Sequence, residues 1–304
     1  MDQHASVAIV TDSGTSLPPD LLERYGVTIV PFDVHLGNHT YRDGVDITPE
    51  TFFAMLRAQQ EPDVSTSVPS VGQFLEVYRK AARWAQAIVS IHIAGAQSGT
   101  CDTARLAARE SPIPVTVIDT ETTAMAEGFV VLEAARAAEA GRSPEEVAEV
   151  ARSVVPCVDL IALLKDVGYA VRGGRLASAA RLLGSLLKIQ PLVRVANNKV
   201  SLVGQVRRRA SGLKQVEARV VHNAGDRPTH VVVHAEEQEE GQRLLESLCS
   251  QINCVESYLT PVPVALGAHA GPGAIGVGYY VEGGLVSAEK PGLRERLTAL
   301  LGED

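Results

Sequence analysis

The 304-residue chain carries a formal net charge of −8, is 45% hydrophobic and 21% charged, and has aromatics at only 4%. A chain of this length encloses a sizeable core in two domains or one large one, and the core must be built mostly from Val, Leu, Ala and Ile. The acidic balance and the shortage of rings argue against a nucleic-acid platform, and no apolar run reaches the roughly 18–20 residues that span a bilayer.

The N-terminus enters a strand-like run at Val7–Val10 with no basic n-region or small-residue cleavage site. The four cysteines, Cys101, Cys157, Cys249 and Cys254, form no CxxC and no Cys/His cluster of zinc spacing. Together these features give a cytoplasmic address with reduced thiols as the expectation.

Further strands are expected at Val27–Val34, Ala87–Ile93 and Val115–Ile118, with helices between them. Thr48-Pro49-Glu50 sets a cap residue before a proline at the first helical position. Ser70-Val71-Gly72-Gln73 reads as a capping box, and so does Ser143-Pro144-Glu145-Glu146, whose helix runs towards Val155. This alternation predicts an α/β fold whose first domain is a mostly parallel sheet between two helical layers. The second half reads differently. Strands are expected at Leu160–Leu164, Ile189–Val195 and Lys199–Val203, the last two joined by a hairpin at Asn197-Asn198. More follow at His230–His234, Val255–Leu259, Val262–Leu266 and Ile275–Val281, with polar helices at Ala210–Asn223 and Glu236–Ser250. The expected division is therefore 1–157, a parallel α/β domain, and 158–304, a second α/β domain with a mixed or antiparallel sheet covered mainly on one face.

Four segments rich in small hydroxyls are expected at one edge of the parallel sheet: Thr11-Asp12-Ser13-Gly14-Thr15-Ser16, Thr66-Ser67-Val68-Pro69-Ser70, Ser98-Gly99-Thr100 and Asp119-Thr120-Glu121-Thr122-Thr123. Such sheets bind ligands at the carboxyl ends of their strands. Helix N-termini there present free N–H groups and a positive dipole end, so the set points to an anion without identifying it. Gly271, Gly273 and Gly276 match G-x-G-x-x-G formally, but a strand-like Val277-Gly278-Tyr279-Tyr280 follows where a dinucleotide site needs a helix. No Gly-Lys pair exists for a P-loop, and Ser98 lies in no G-x-S-x-G elbow.

Taken in order, Thr11-Asp12-Ser13, Tyr41-Arg42-Asp43-Gly44, Thr66-Ser67-Val68-Pro69-Ser70, Ser98-Gly99-Thr100, Val117-Ile118-Asp119, Gly173-Gly174-Arg175, Ile189-Gln190-Pro191 and His269-Ala270-Gly271-Pro272-Gly273 resemble the DegV family of bacterial fatty-acid-binding proteins. The resemblance extends from about residue 7 to 281. It implies a lipid lying in a tunnel between the two domains, with its carboxylate near the strand-end loops. Carried over by position, Thr66 and Ser98 contact the carboxylate, and Arg175 and His269 approach it from the second domain. Asp12, Ser13, Ser67, Gly99, Thr100, Asp119 and Gly174 stand in the supporting headgroup loops. The family usually has Gln at Val68, Ser at Thr120 and Leu at Gln97, and a more serine-rich stretch at Ala94-Gly95-Ala96.

The resemblance also implies a partner: a separate kinase, with its own nucleotide site, that phosphorylates the bound fatty acid to an acyl-phosphate for lipid synthesis. On that reading the chain is a carrier rather than an enzyme and has no cofactor or metal. Arg207 and Arg208, in the Arg207-Arg208-Arg209 run, then form the docking surface. The Leu182–Leu187 run is a candidate lining for the tail, or plain core. Other readings stay open: a serine hydrolase or acyltransferase using Ser98 and His269, or a regulator binding a phosphorylated ligand at the same helix N-termini. His35 with His39, and His230 with His234, are weak candidate metal pairs without an evident third ligand.

Overall fold

The computed structural model describes residues 6–58, 63–176 and 189–286. The first half runs β1 (Val7–Asp12), a 3-10 turn (Ser13–Thr15), α1 (Pro19–Tyr25), β2 (Thr28–Val30), β3 (Asp33–Leu36), β4 (His39–Arg42), α2 (Pro49–Arg57) and β5 (Val64–Ser67). It continues with α3 (Val71–Ala81), β6 (Ala87–His92), α4 (Thr100–Ala108), β7 (Val115–Asp119), α5 (Ala124–Glu139) and α6 (Pro144–Val154). Then come β8 (Val158–Leu163), α7 (Gly168–Arg172), β9 (Gln190–Ala196), β10 (Lys199–Val206) and α8 (Arg209–Ala224). The last elements are β11 (Pro228–Ala235), α9 (Gln238–Cys249), β12 (Asn253–Thr260), α10 (Val264–Ala270) and β13 (Ile275–Val281).

The strands form a parallel sheet in the order β2-β1-β6-β7 and a mixed sheet in the order β10-β9-β8-β13-β11-β12. Every residue of β1 and β6 is buried, as a parallel sheet covered on both faces requires. Phe74 and Tyr78 of α3 and Ala104 of α4 close one face over Ala8, Val10 and Ile88. Helices α5 and α6 close the other over Ile9, Val89 and Ile118.

Helix α5 is mostly apolar, with 12 of its 16 residues buried, which marks a helix enclosed by other elements. Its outer side packs on the mixed sheet through Leu160, Val195 and Val232. Gly278 permits the close approach, since a Cβ there would sit 3.0 Å from the Ala126 nitrogen. Helices α8 and α9 cover the opposite face of the mixed sheet, with Val216, Val220 and Leu244 against Ile161, Leu163 and Val233. Among the described residues no helix is long and apolar enough to cross a membrane.

Local signals in the sequence form as expected in several places. Thr48 caps α2, and Ser70–Gln73 and Ser143–Glu146 close their capping boxes. Asn197 and Asn198 take φ of 52° and 58°, which a two-residue hairpin with the strands' own twist demands.

Three expectations are corrected. Val27–Val34 is two strands, not one, because Pro31 has no N–H for a ladder and the chain leaves the parallel sheet there. Thr66 and Ser67 lie not in a loop but on β5, in an unexpected antiparallel sheet of order β4-β3-β5. Val262–Leu266 is not a strand: Pro263 precedes α10, and Asp43 accepts the Ala265 N–H at 3.3 Å. The β-branched run suggested a strand, but a cap supplied from 222 residues away decides for helix.

Candidate functional site

A cavity of about 170 Å³ opens between the parallel sheet's strand ends, α10 and the mixed sheet. That is space for far more than one water molecule. One wall follows from strand alternation: Leu160 and Ala162 of β8, Val193 and Val195 of β9, and Val200 of β10 face the cavity. The neighbouring residues Ile161 and Leu163 point the other way, under α8 and α9. Phe32, Ile93, Ala265 and Leu266 close the opposite side. The lining is apolar except for Thr66, Gln97, Ser98, Thr123, Arg175, His234 and His269.

Thr66, Ser98, Arg175 and His269 thus meet in one cavity although they come from four separate segments. Thr66 Oγ1 and His269 Nε2 share a hydrogen bond of 2.8 Å. His269 Nδ1 is buried with no hydrogen-bond partner among the described residues, and a Cβ on Gly173 would collide with it. Glycine at 173 is what lets the ring sit there. Burial, and then the Arg175 charge, push the His269 pKa down to about 4, so the imidazole is neutral near pH 7.

Arg175 follows Gly174, whose φ of +74° turns the chain at the end of α7. The Arg175 guanidinium donates to the Gly173 carbonyl at 2.6 Å. Among the described residues no carboxylate lies within ion-pair distance of it, and burial lowers its pKa. A half-buried cation without a counter-ion among the described residues is the dominant electrostatic feature of the cavity.

Ser98 hydrogen-bonds Thr100 Oγ1 at 2.7 Å, and Thr100 N–H donates to Ser98 Oγ at 3.4 Å. Among the described residues Ser98 and His269 have different hydrogen-bond partners, and no carboxylate meets the histidine's Nδ1.

The supporting residues Asp12, Ser13, Ser67, Gly99, Thr100, Asp119 and Gly174 stand outside the cavity lining. Asp12 accepts the Gly14 and Ile93 N–H groups and pairs with His92. Asp119 accepts from Gly95 and Glu121 N–H. These acids occupy donors that strand-end loops could have offered an anion, so they shape the Ile93–Ser98 segment instead of lining the site. Ser67, on the other side of β5 from Thr66, bonds His35 at 3.0 Å. Gly99 precedes α4 without a side-chain cap.

Asn198, at the β9–β10 turn, closes the site from the mixed-sheet side. Its side chain accepts Ala96 N–H at 3.2 Å and donates to Asp119 at 3.3 Å. Asn198→Gly keeps the left-handed turn but removes both ties. Its expected effect is an amide hydrogen exchange at Ala96 faster by about tenfold, read by mass spectrometry, with the melting temperature nearly unchanged.

Arg207 and Arg208 are exposed just before α8, whereas Arg209 turns inward to Glu240 and the Gly273 carbonyl. The histidine pairs have protein partners: His35 bonds Thr40 and Ser67, and His230 bonds Glu256 and Glu282. His234 accepts the Met125 N–H and pairs with Thr260, and burial holds its pKa down at about 4. Among the described residues no group of three His, Cys, Asp or Glu could hold a metal ion. Leu182–Leu187 lies outside the described residues. Sequence reasoning placed Thr123 in a strand-end anion loop without singling it out, and missed His234, which reaches the cavity through sheet pairing.

Comparison with known proteins places residues 6–282 in a family described as "Uncharacterised protein, DegV family". A DegV domain-containing protein of Streptomyces coelicolor is 35% identical over 280 residues, covering 91% of this chain and 98% of that one. One of Deinococcus radiodurans is 34% identical over 276 residues, covering 90% and 97%. Among solved structures, a DegV family protein of Thermus thermophilus, described for its fatty acid binding, superposes with TM-score 0.83 at 31% identity, over 91% of this chain and 99% of that one. DegV of Bacillus subtilis, described as a fatty acid binding protein, gives TM-score 0.81 at 27% identity over 91% and 100%.

Proposed function

The chain belongs to the DegV family, and from that membership and the chemistry of the cavity we propose that it holds a long-chain fatty acid with the carboxylate at Thr66, Ser98, Arg175 and His269. The observation that carries the reading is Arg175: a half-buried cation with no acidic partner among the described residues, at the polar end of an otherwise apolar cavity. A carboxylate supplies the missing charge through charge-assisted hydrogen bonds. Neutral His269 donates to Thr66 from Nε2, which frees the Thr66 hydroxyl to donate to the ligand. The acyl tail lies along the β8–β9 wall, where burial releases roughly 0.8 kcal/mol per CH₂.

The fold relatives from Thermus thermophilus and Bacillus subtilis, described as binding fatty acids, support the ligand class. The finer role is that of a carrier in the cytoplasm that presents the carboxylate to a separate kinase for conversion to acyl-phosphate. Exposed Arg207 and Arg208, on an acidic protein, fit docking of an acidic partner surface.

Titration with oleate and palmitate against their methyl esters tests the headgroup assignment. The acids bind and the esters bind at least about tenfold more weakly, since a neutral ester leaves Arg175 unpaired; equal affinity for both forms rules the assignment out. Reconstitution with an ATP-dependent fatty acid kinase tests the carrier role. Arg207→Ala lowers acyl-phosphate formation, trapped as the hydroxamate, by about tenfold while oleate affinity stays at the parent value.

A further inference from the structure

We propose that Asp43 is a positioning residue of the headgroup clamp: its carboxylate anchors α10, and so sets where His269 stands. This inference rests on the fatty-acid reading of the site. Asp43 is 5% exposed and outside the cavity lining, in the Tyr41-Arg42-Asp43-Gly44 turn that the headgroup chemistry leaves unexplained.

Three segments converge on this one side chain. Asp43 Oδ2 accepts the Ala265 N–H at 3.3 Å, and the neighbouring Val264 backbone and Ser13 side chain favour its charged form. Ser13 Oγ accepts the Phe32 N–H at 3.1 Å, and the Asp43 N–H donates to the Phe32 carbonyl at 2.9 Å. The exit of β1, the cavity wall at Phe32 and the start of α10 are thereby closed into one ring. Helix α10 has no other side-chain cap, and its far end carries His269 against Thr66. On its flank a Cβ at Gly267 would lie 2.6 Å from Phe53 Cζ, so the helix rests directly on α2. Its N-terminal end is then held by Asp43.

The anchor is strongest when Asp43 is ionised, because the Ala265 N–H donates to its carboxylate and the Ser13 and Val264 groups beside it favour the charge. Burial, opposed by those three groups and reinforced by the Asp12 charge, raises the Asp43 pKa to about 6. Asp12 is the charged group facing it from β1; on its own turn, Arg42 and Asp46 pair with each other in solvent. The titratable group on α10 is His269, and the other buried histidine of the cavity is His234. The sign of the stability effect separates loosening from unfolding. A carboxyl whose folded pKa is raised costs folding free energy above that pKa, and the cost is relieved as pH falls through about 6. Protonating Asp43 therefore slackens α10 without destabilising the fold through this group. His269 and His234, held neutral, act oppositely below the unfolded histidine value, so the variant must be read against the parent.

The experiment compares the parent with Asp43→Asn, which mimics the protonated carboxyl, by oleate titration between about pH 5 and about pH 8 and by hydrogen exchange of the ligand-free proteins. At pH 7.5 Asp43→Asn binds oleate about fivefold more weakly, and the Val264 and Ala265 amides exchange about tenfold faster. As pH falls through about 6, parent and variant affinities converge, the variant lacking the inflection that the parent shows. A parent that binds oleate, with a variant of equal affinity or the same inflection, overturns the role of Asp43 alone. Faster exchange without loss of affinity overturns it too. A parent that binds no fatty acid overturns the proposed function and this role with it.

Discussion

Replacing Arg175 with alanine lowers oleate affinity by about tenfold to a hundredfold, the range that a charge-assisted hydrogen bond to a desolvated partner spans. In the proposed clamp Arg175 supplies the positive charge, and the parent side chain has only the Gly173 carbonyl as a hydrogen-bond partner among the described residues. Removing it leaves no buried acid stranded among the described residues, so the ligand-free fold is expected to keep its melting temperature. It also lifts the Arg175 charge from His269, one of the two causes that hold the imidazole pKa at about 4. In Arg175→Ala the histidine therefore titrates at a higher pH, which is visible by NMR of the imidazole. Calorimetric titration reads the affinity; a variant that binds as tightly as the parent contradicts the clamp.

Phe129→Ala is expected to cost about 3–5 kcal/mol of unfolding free energy, the usual range for a fully buried phenylalanine. Phe129 is 1% exposed, in the middle of α5. Its ring packs against His230, Tyr258 and Tyr280 at centroid distances of 6.0, 6.5 and 6.3 Å. Because α5 joins the parallel sheet to the mixed one, the loss should appear in urea as one transition moved to lower denaturant. If one sheet unfolded early while the other kept its midpoint, α5 would not be the element that unites them.

The legible parts of this fold were those encoded within a few neighbouring residues. The capping boxes at Ser70 and Ser143, the Asn197-Asn198 turn and the strands of the second half other than Val262–Leu266 depend on local chemistry, and these formed. Val262–Leu266 could not be read this way, because what makes it helical is Asp43, far away in sequence. The small sheet holding Thr66 was hidden for a similar reason. Its strands are about four residues long, and β5 pairs with β3 across α2, too short and too remote for alternation to register.

The site was legible as a set of segments and illegible as a geometry. Thr66, Ser98, Arg175 and His269 each lie in a short motif, and the cavity gathers all four. The division of labour around them came only from hydrogen bonds. Asp12 and Asp119 looked like members of an anion loop, but their carboxylates hold the backbone of the Ile93–Ser98 segment. Asn198 looked like a turn residue, and it also ties the β9–β10 turn to that segment. Arg209 stood in the same basic run as the docking candidates Arg207 and Arg208; the structure turns it inward to Glu240 and leaves those two exposed.

The central claim, that the cavity holds a fatty acid by its carboxylate, is tested most directly by mass spectrometry of what the protein carries. The purified protein is extracted with organic solvent, and the extract is compared with that of Arg175→Ala prepared in the same way. The expected result is a long-chain fatty acid in near-stoichiometric amount from the parent and a depleted amount from the variant. An extract free of fatty acid, from a folded parent that also fails to bind added oleate or palmitate, contradicts the claim.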